Sequence, residues 1–360
     1  MNNKITRHQI TACLEDKGFA YAKLELQNGV SIVVSQYGGR IFGPFLPPDI
    51  VPGGESLFWT NDAFAQPESF QDFLDSGDWN LGGDRIWIAP EIQYNVHDRT
   101  DYWNTYNLPN QVDPGRYRLE QTQPDQWRLA QDMVLEAYNL GAGKKELHLE
   151  RLIHPVSDPL RYLVNYEKLT EAVLFAGYEQ ILSISESKRD DLMAAVWNLI
   201  QLNPGGLLLI PSSPRVSYSD YYEPIDEKLQ TLFPDHIRLR ITGDRQYKVG
   251  YAAAHVLGRM GYYNQLGDDL AYLVVRNFFN NPSLTYAEEP ADAPGTRGHS
   301  IHVYNDDGNL GGFGEMECNA QTIGGETGRS TSNDQLVLWL YVGVPDRLKE
   351  IGLHLLGIEI

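Results

Sequence analysis

The sequence is poor in cysteine, in positive charge and in long apolar runs. Its 360 residues include two cysteines, Cys13 and Cys318. They lie far apart, in no CxxC or zinc-ligand spacing, so neither a disulfide framework nor a structural metal site is indicated. Lysine and arginine number 29 against 48 aspartates and glutamates, a net charge of -19. That balance excludes binding through nucleic-acid phosphates or an anionic membrane surface, both of which need clustered cations. A neutral small molecule is the easier partner. There is no apolar run of the roughly 18 residues that would suggest a membrane span, and the start, Met1 to His8, lacks the apolar centre of a signal peptide. A soluble, cytoplasmic chain is expected. The patterns HExxH, GxSxG, DxDxDG and GxxxxGK(S/T) are all missing, which removes zincin, serine-hydrolase, EF-hand and phosphate-loop chemistry. No cofactor and no metal are implied.

What the chain has is strand after strand. Tyr21 to Gln27 and Val30 to Ser35, joined at Asn28-Gly29, carry the alternation and turn residues of a hairpin. From Arg116 onward, segments such as Lys145 to His154, Leu160 to Lys168, Ala172 to Ser185, Leu192 to Leu202, Lys248 to Val256, Ser300 to Asn305 and Gln335 to Gly343 repeat the theme. Helical patterns are confined to about 8–17 and 67–75, and no internal repeat appears. The expected fold is all-β in the main: a large antiparallel β-sandwich with few short helices. Residues 1–360 read as a single domain, with a short N-terminal extension over about 1–19.

Four stretches split their side chains by chemistry. In Gly308 to Gln321, a strand would place Met316, Cys318 and Ala320 on one face and Phe313, Glu315, Glu317, Asn319 and Gln321 on the other. Two carboxylates at i and i+2 on one strand face are roughly 6.5–7 Å apart at Cα. Shielded from water, they would raise one another's pKa and make one a general base near neutrality. The competing reading is the solvated outer face of an antiparallel strand.

In Asp78 to Glu91, Gly82-Gly83 allows close backbone approach, and beyond it Arg85 and Trp87 share a face. A guanidinium beside an indole suits a sugar: one donates to hydroxyl oxygens, the other covers C–H faces. A structural cation–π pair is the alternative. Trp197, Leu199 and Gln201 share a face in Val196 to Leu202, with Asn198 opposite. Ser300, His302 and Tyr304 share one in His299 to Asn305, where a His beside a Tyr offers a proton donor. His97 and His255 are further candidates.

The order of Gly38-Gly39-Arg40, Asn80-Leu81-Gly82-Gly83-Asp84-Arg85-Ile86-Trp87, Trp197-Asn198-Leu199, Tyr304-Asn305 and Glu315-Met316-Glu317 resembles the galactose mutarotase-like (aldose 1-epimerase) superfamily. The resemblance spans about residues 20 to 345 and is nearest to that superfamily's uncharacterised branches. It implies a sandwich whose concave face binds a small carbohydrate. By the same resemblance, Glu317, with Glu315 as fallback, matches the late glutamate that takes the anomeric proton, and Arg85 matches the arginine that holds hydroxyls. The epimerases' mid-chain His-x-Tyr-Phe-Asn-Leu stands here as Val196-Trp197-Asn198-Leu199, so no histidine occupies the acid's place.

The expected site is therefore Glu317, Glu315 and His302 for catalysis, with Asp84, Arg85, Trp87, Trp197, Asn198, Gln201 and Tyr304 for binding. Three functions are compatible with it: an epimerase-like isomerase with His302, His255 or Tyr304 as substitute acid, a carbohydrate-binding protein without the chemistry, or a polysaccharide lyase or hydrolase on the same sandwich.

Overall fold

The computed structural model describes residues 5–51 and 53–360; Met1 to Lys4 and Pro52 lie outside it. Two antiparallel sheets face each other. The first has nine strands in the order Tyr21–Glu25, Ser31–Ser35, Ile41–Phe45, Asp84–Ala89, Ala195–Leu202, Gly314–Asn319, His299–Asn305, Tyr247–Ala252 and Tyr218–Asp220. The second has ten, in the order Gln230–Leu232, His236–Arg240, Leu207–Pro211, Arg259–Gln265, Ala271–Phe278, Thr331–Gly343, Leu174–Glu186, Gly143–Pro155, Gln126–Ala137 and Arg118–Gln123. The expected antiparallel sandwich is what the chain forms.

Period-two alternation explains the core. Ile86 and Ile88, Val196 and Ile200, Met316 and Cys318, and Ile301 and Val303 all point from the first sheet into one apolar cluster shared with the second. Both cysteines are free and buried. In the first hairpin, Asn28 (φ 56°) and Gly29 (φ 74°) take the left-handed conformations that an Asn-Gly turn favours.

Three features depart from the sequence reading. The segment from Leu160 to Lys168, expected as a strand, is turns leading into a short helix, Tyr166–Leu169. Three short strands were not anticipated: Tyr218–Asp220 and Gln230–Leu232 are only three residues long, whereas His236–Arg240 does alternate, with buried Ile237 and Leu239 interleaved with Arg238 and Arg240. A 12-residue helix, Pro345–Leu356, follows the last strand and packs Leu348, Ile351 and Leu355 on the outer face of the second sheet. Its signals were present: Pro345 in the first turn, apolar residues at helical spacing, and a left-handed Gly357 at its C-cap.

Candidate active site

The cleft lies on the face of the first sheet turned away from the second. Its floor follows from register. Arg85 pairs with Leu199 and Trp87 with Trp197, Leu199 pairs in turn with Glu317, and Glu317 with His302. One step along, Gln201, Glu315, Tyr304 and Lys248 form a parallel row. Five neighbouring strands thus present side chains from one face of the sheet to one cavity of about 240 Å³. Arg85, Trp87, Trp197, Leu199, Lys248, Tyr304, Glu315 and Glu317 line it from the sheet; Trp79, Glu91, Trp103, Tyr106, Tyr222, Gln246, Leu310 and Phe313 line it from other segments.

The first strand of this floor starts where it does because of Gly82 and Gly83. Both have positive φ, 93° and 77°. A Cβ on Gly82 would stand 2.4 Å from the Trp59 carbonyl oxygen, and one on Gly83 2.6 Å from that of Ile41. Only glycine lets the backbone pass and aim Arg85 inward.

Arg85 is a fixed clamp. Its Nη2 donates to Glu315 at 2.7 Å and its Nη1 to Asp113 at 3.3 Å, and its guanidinium carbon lies 4.3 Å from the Trp87 ring centre and 5.0 Å from that of Trp79. Both Asp113 oxygens also accept from Arg40 Nη2, at 2.7 and 2.8 Å, and one accepts the Trp87 indole N–H at 2.8 Å.

Glu317 is fully buried. One carboxyl oxygen accepts the Trp197 indole N–H at 3.0 Å; the other has no hydrogen-bond partner among the described residues. Burial, and then the neighbouring Glu315, push its pKa well above the usual carboxylate range, with Lys248 and Arg85 only partly opposing. Glu315 is also raised by burial, against the pull of Arg85.

Lys248 reaches into the cavity with its ammonium 2.5 Å from Glu91, 4.4 Å from the Trp197 ring centre and 5.2 Å from that of Tyr221. Burial works against its charge, but Glu91 and the surrounding acids outweigh it and raise the pKa. Glu91 also accepts the Tyr106 hydroxyl at 3.3 Å, and its backbone N–H donates to Glu288 at 2.7 Å. Glu288, buried beside Lys248 and Glu91, is pushed up to about 8, chiefly by desolvation.

Of the predicted residues, Glu317, Glu315, Arg85, Trp87, Trp197 and Tyr304 meet in this cavity. Tyr304 donates its hydroxyl to Asp306 at 3.1 Å. Gln201 is on the same face but outside the cavity lining, donating to Asn80 at 2.9 Å.

Three expectations are corrected. Asp84 and Asn198 point into the space between the sheets. There Asp84 accepts from Arg151 at 2.6 Å, Arg276 at 2.9 Å, Gln180 at 2.7 Å, Tyr178 at 2.9 Å and Asn198 at 2.7 Å. Alternation with Ile86 and Ile88 demands that side, so neither residue reaches a ligand in the cleft. His302 faces the cleft side but is fully buried and does not line the cavity; its ring packs edge-on against that of Tyr221, centres 5.0 Å apart, beside the side-chain-free Gly250. Asn319 Nδ2 donates to His302 Nδ1 (3.1 Å), and His302 Nε2 lies 2.9 Å from the Tyr221 hydroxyl, itself 3.1 Å from His299 Nδ1. Desolvation lowers the His302 pKa well below the ordinary value and that of His299 to about 4, which favours the neutral ring in both. His97 and His255 do not line the cavity either.

Sequence reasoning missed Glu91, Lys248, Asp113, Tyr106 and Tyr222. Lys248 left a signal, a lone cation alternating with Tyr247, Val249 and Tyr251 in its strand. Asp113 and Tyr222 come from irregular segments, where no periodicity points them anywhere. No group of three or more His, Cys, Asp or Glu side chains among the described residues is placed to hold a metal ion.

The fold is galactose mutarotase-like. An aldose 1-epimerase-like protein from Escherichia coli K12 superposes with a TM-score of 0.53 at 10% identity, over 90% of this chain and 99% of that one. A galactose mutarotase-like protein from Lactobacillus casei ATCC 334 gives 0.47 at 11% identity, over 90% and 100%. No curated protein matches the sequence. The sequence pattern of DUF6786, a family of unknown function, matches residues 12–360.

Proposed function

We propose that this chain, which belongs to the DUF6786 family of unknown function, binds a carbohydrate in the cleft and exchanges its anomers, with Glu317 carrying the proton. The observation behind this is one atom: the carboxyl oxygen of Glu317 that has no hydrogen-bond partner among the described residues, on a fully buried side chain lining an aromatic-walled cavity. A buried polar atom without a partner is costly, and a ligand hydroxyl or ring oxygen would satisfy it.

Anomer exchange opens a sugar ring and closes it again. One group takes the proton of the anomeric hydroxyl while another gives a proton to the ring oxygen; closure reverses both transfers. Glu317, held protonated by burial and by Glu315, is the donor to the ring oxygen and takes the proton back on closure. Glu315, paired with Arg85 at 2.7 Å, is the acceptor at the anomeric hydroxyl. Two adjacent carboxyls with different partners can divide acid and base roles in this way. Trp87 and Trp197 offer faces to the sugar's C–H groups, while Arg85 and the Lys248 ammonium donate to its hydroxyls. The cations here are already matched by Glu315, Asp113 and Glu91, so the site suits an uncharged sugar.

Exchange spectroscopy by NMR on a panel of reducing sugars tests the reading. Saturation transfer between α and β anomers should rise above the buffer rate with the wild type and return to it with Glu317→Gln. No acceleration for any sugar that binds would leave the second reading, binding without exchange. That reading has its own support, because no histidine among the described residues lines the cavity.

A further inference from the structure

The mouth of the cleft is built unlike its floor. Trp103 lines the cavity yet is 60% exposed, and it is the one exposed tryptophan among the described residues. Its ring rests on Tyr222, with centres 5.0 Å apart, and on Tyr102, at 4.9 Å. Leu310 lines the same cavity and is 43% exposed.

The turns that carry both residues are tied down by hydrogen bonds. Before Trp103, Arg99 spends its guanidinium on the Ala291 carbonyl at 2.8 Å, Glu289 at 2.9 Å and the Pro290 carbonyl at 2.8 Å. Asp98 accepts the Thr100 N–H at 2.9 Å, and Thr105 donates to the Asp98 carbonyl at 3.0 Å. Around Leu310, one Asp306 oxygen accepts the N–H groups of Gly308, Leu310 and Gly312 at 3.0, 3.1 and 2.8 Å, while Asn80 donates to the Leu310 carbonyl at 2.9 Å. An indole left in water forgoes burial, and fixing its turn adds order without recovering that loss. Pre-organised aromatic surface continuous with a binding cavity suits a ligand that extends out of it.

The geometry points to an outer subsite in which Trp103 and Leu310 hold the second pyranose ring of a reducing disaccharide or oligosaccharide, its reducing ring lying over Glu317. The inference rests on the cleft being a sugar site. Exchange needs a free anomeric hydroxyl on the inner ring, so the outer ring must be joined through another carbon and project through the mouth. An uncharged C–H face against indole and leucine asks for no cation.

Titration calorimetry with wild type, Trp103→Ala and Trp103→Phe tests this, pairing glucose with maltose and cellobiose, and mannose with mannobiose. In at least one pair the disaccharide should bind about three- to tenfold tighter than its monosaccharide, the scale of an aromatic contact. Trp103→Ala should erase most of that ratio and Trp103→Phe keep part of it, with unchanged circular dichroism. Equal binding within every pair, or an equal loss for both members in Trp103→Ala, overturns the outer subsite while leaving the cleft reading standing. If none of these sugars binds, both readings fall.

Discussion

Asp84 and Glu317 are both fully buried carboxyls, on strands separated only by Ala195–Leu202, and their surroundings are opposite. Asp84, between the sheets, has two arginines, two amides and a tyrosine hydroxyl donating to it, at 2.6 to 2.9 Å. Desolvation alone would raise its pKa, but Arg151 and Arg276 outweigh it and hold it below the ordinary value. Glu317, on the cleft side, has one indole donor and a bare oxygen, and its pKa goes up. Equal burial therefore distinguishes nothing; the supply of donors does. A carboxylate supplied with donors joins two sheets, and a carboxyl short of them is poised to act on what enters.

Two substitutions should separate the roles. Glu317→Gln keeps the shape and an acceptor for Trp197 but removes the transferable proton, so exchange should fall by about 10²–10⁴-fold, the usual worth of a positioned acid or base. Its urea midpoint should not drop. Asp84→Ala should do the reverse. It leaves Arg151 and Arg276 buried without their counter-charge, a loss on the order of 3–5 kcal/mol in chemical denaturation. Full exchange in Glu317→Gln, or a stable Asp84→Ala protein, would dissolve the contrast.

Arg85→Ala sharpens it from the cleft side. Arg85 resembles the Asp84 cluster in being paired, yet it lines the cavity. Truncation should cost roughly 1–3 kcal/mol of affinity for a sugar shown to bind, since the hydroxyls it served are left unpaired. Affinity within a factor of two of wild type would make Arg85 purely structural, an anchor for Glu315 and Asp113.

The same pair shows what the sequence could and could not disclose. Alternation was enough to put Glu315 and Glu317 opposite Met316 and Cys318, and to group Arg85 with Trp87, because a strand fixes sides with period two. Asp84 and Asn198 were drawn into the site by their place in a motif, although that alternation sends them the other way with Ile86 and Ile200. His302 lies on the correct face, but it is buried against Tyr221 beside Gly250, a contact between strand and loop that no local pattern encodes. Asp113, which braces Arg85, Trp87 and Arg40 together, likewise comes from a segment without periodicity.

The smallest expected effect is the most direct measure of the difference, because linkage gives the two carboxyls opposite slopes of stability against pH. Glu317 has a folded pKa above its unfolded value of about 4.5. Below that pH both states hold the proton and the group is neutral to stability. As pH rises beyond it, the unfolded chain ionises while the folded one does not, so Glu317 increasingly destabilises the fold until its raised pKa is reached. Glu317→Gln removes this term. The melting temperature of the variant minus that of wild type should be near zero at about pH 4 and grow through neutrality. Asp84 has a folded pKa below its unfolded 3.8, so its contribution is complete above that value and disappears as pH falls through the lowered one. The deficit of Asp84→Asn should be flat from pH 5 upward and shrink only in stronger acid. Thermal scans of the three proteins across pH 3.5 to 8 read both slopes at once. A Glu317→Gln difference that stays flat from pH 4 to 8 would mean that the cleft carboxyl is solvated like any surface glutamate, and would remove the proton donor from the proposed exchange.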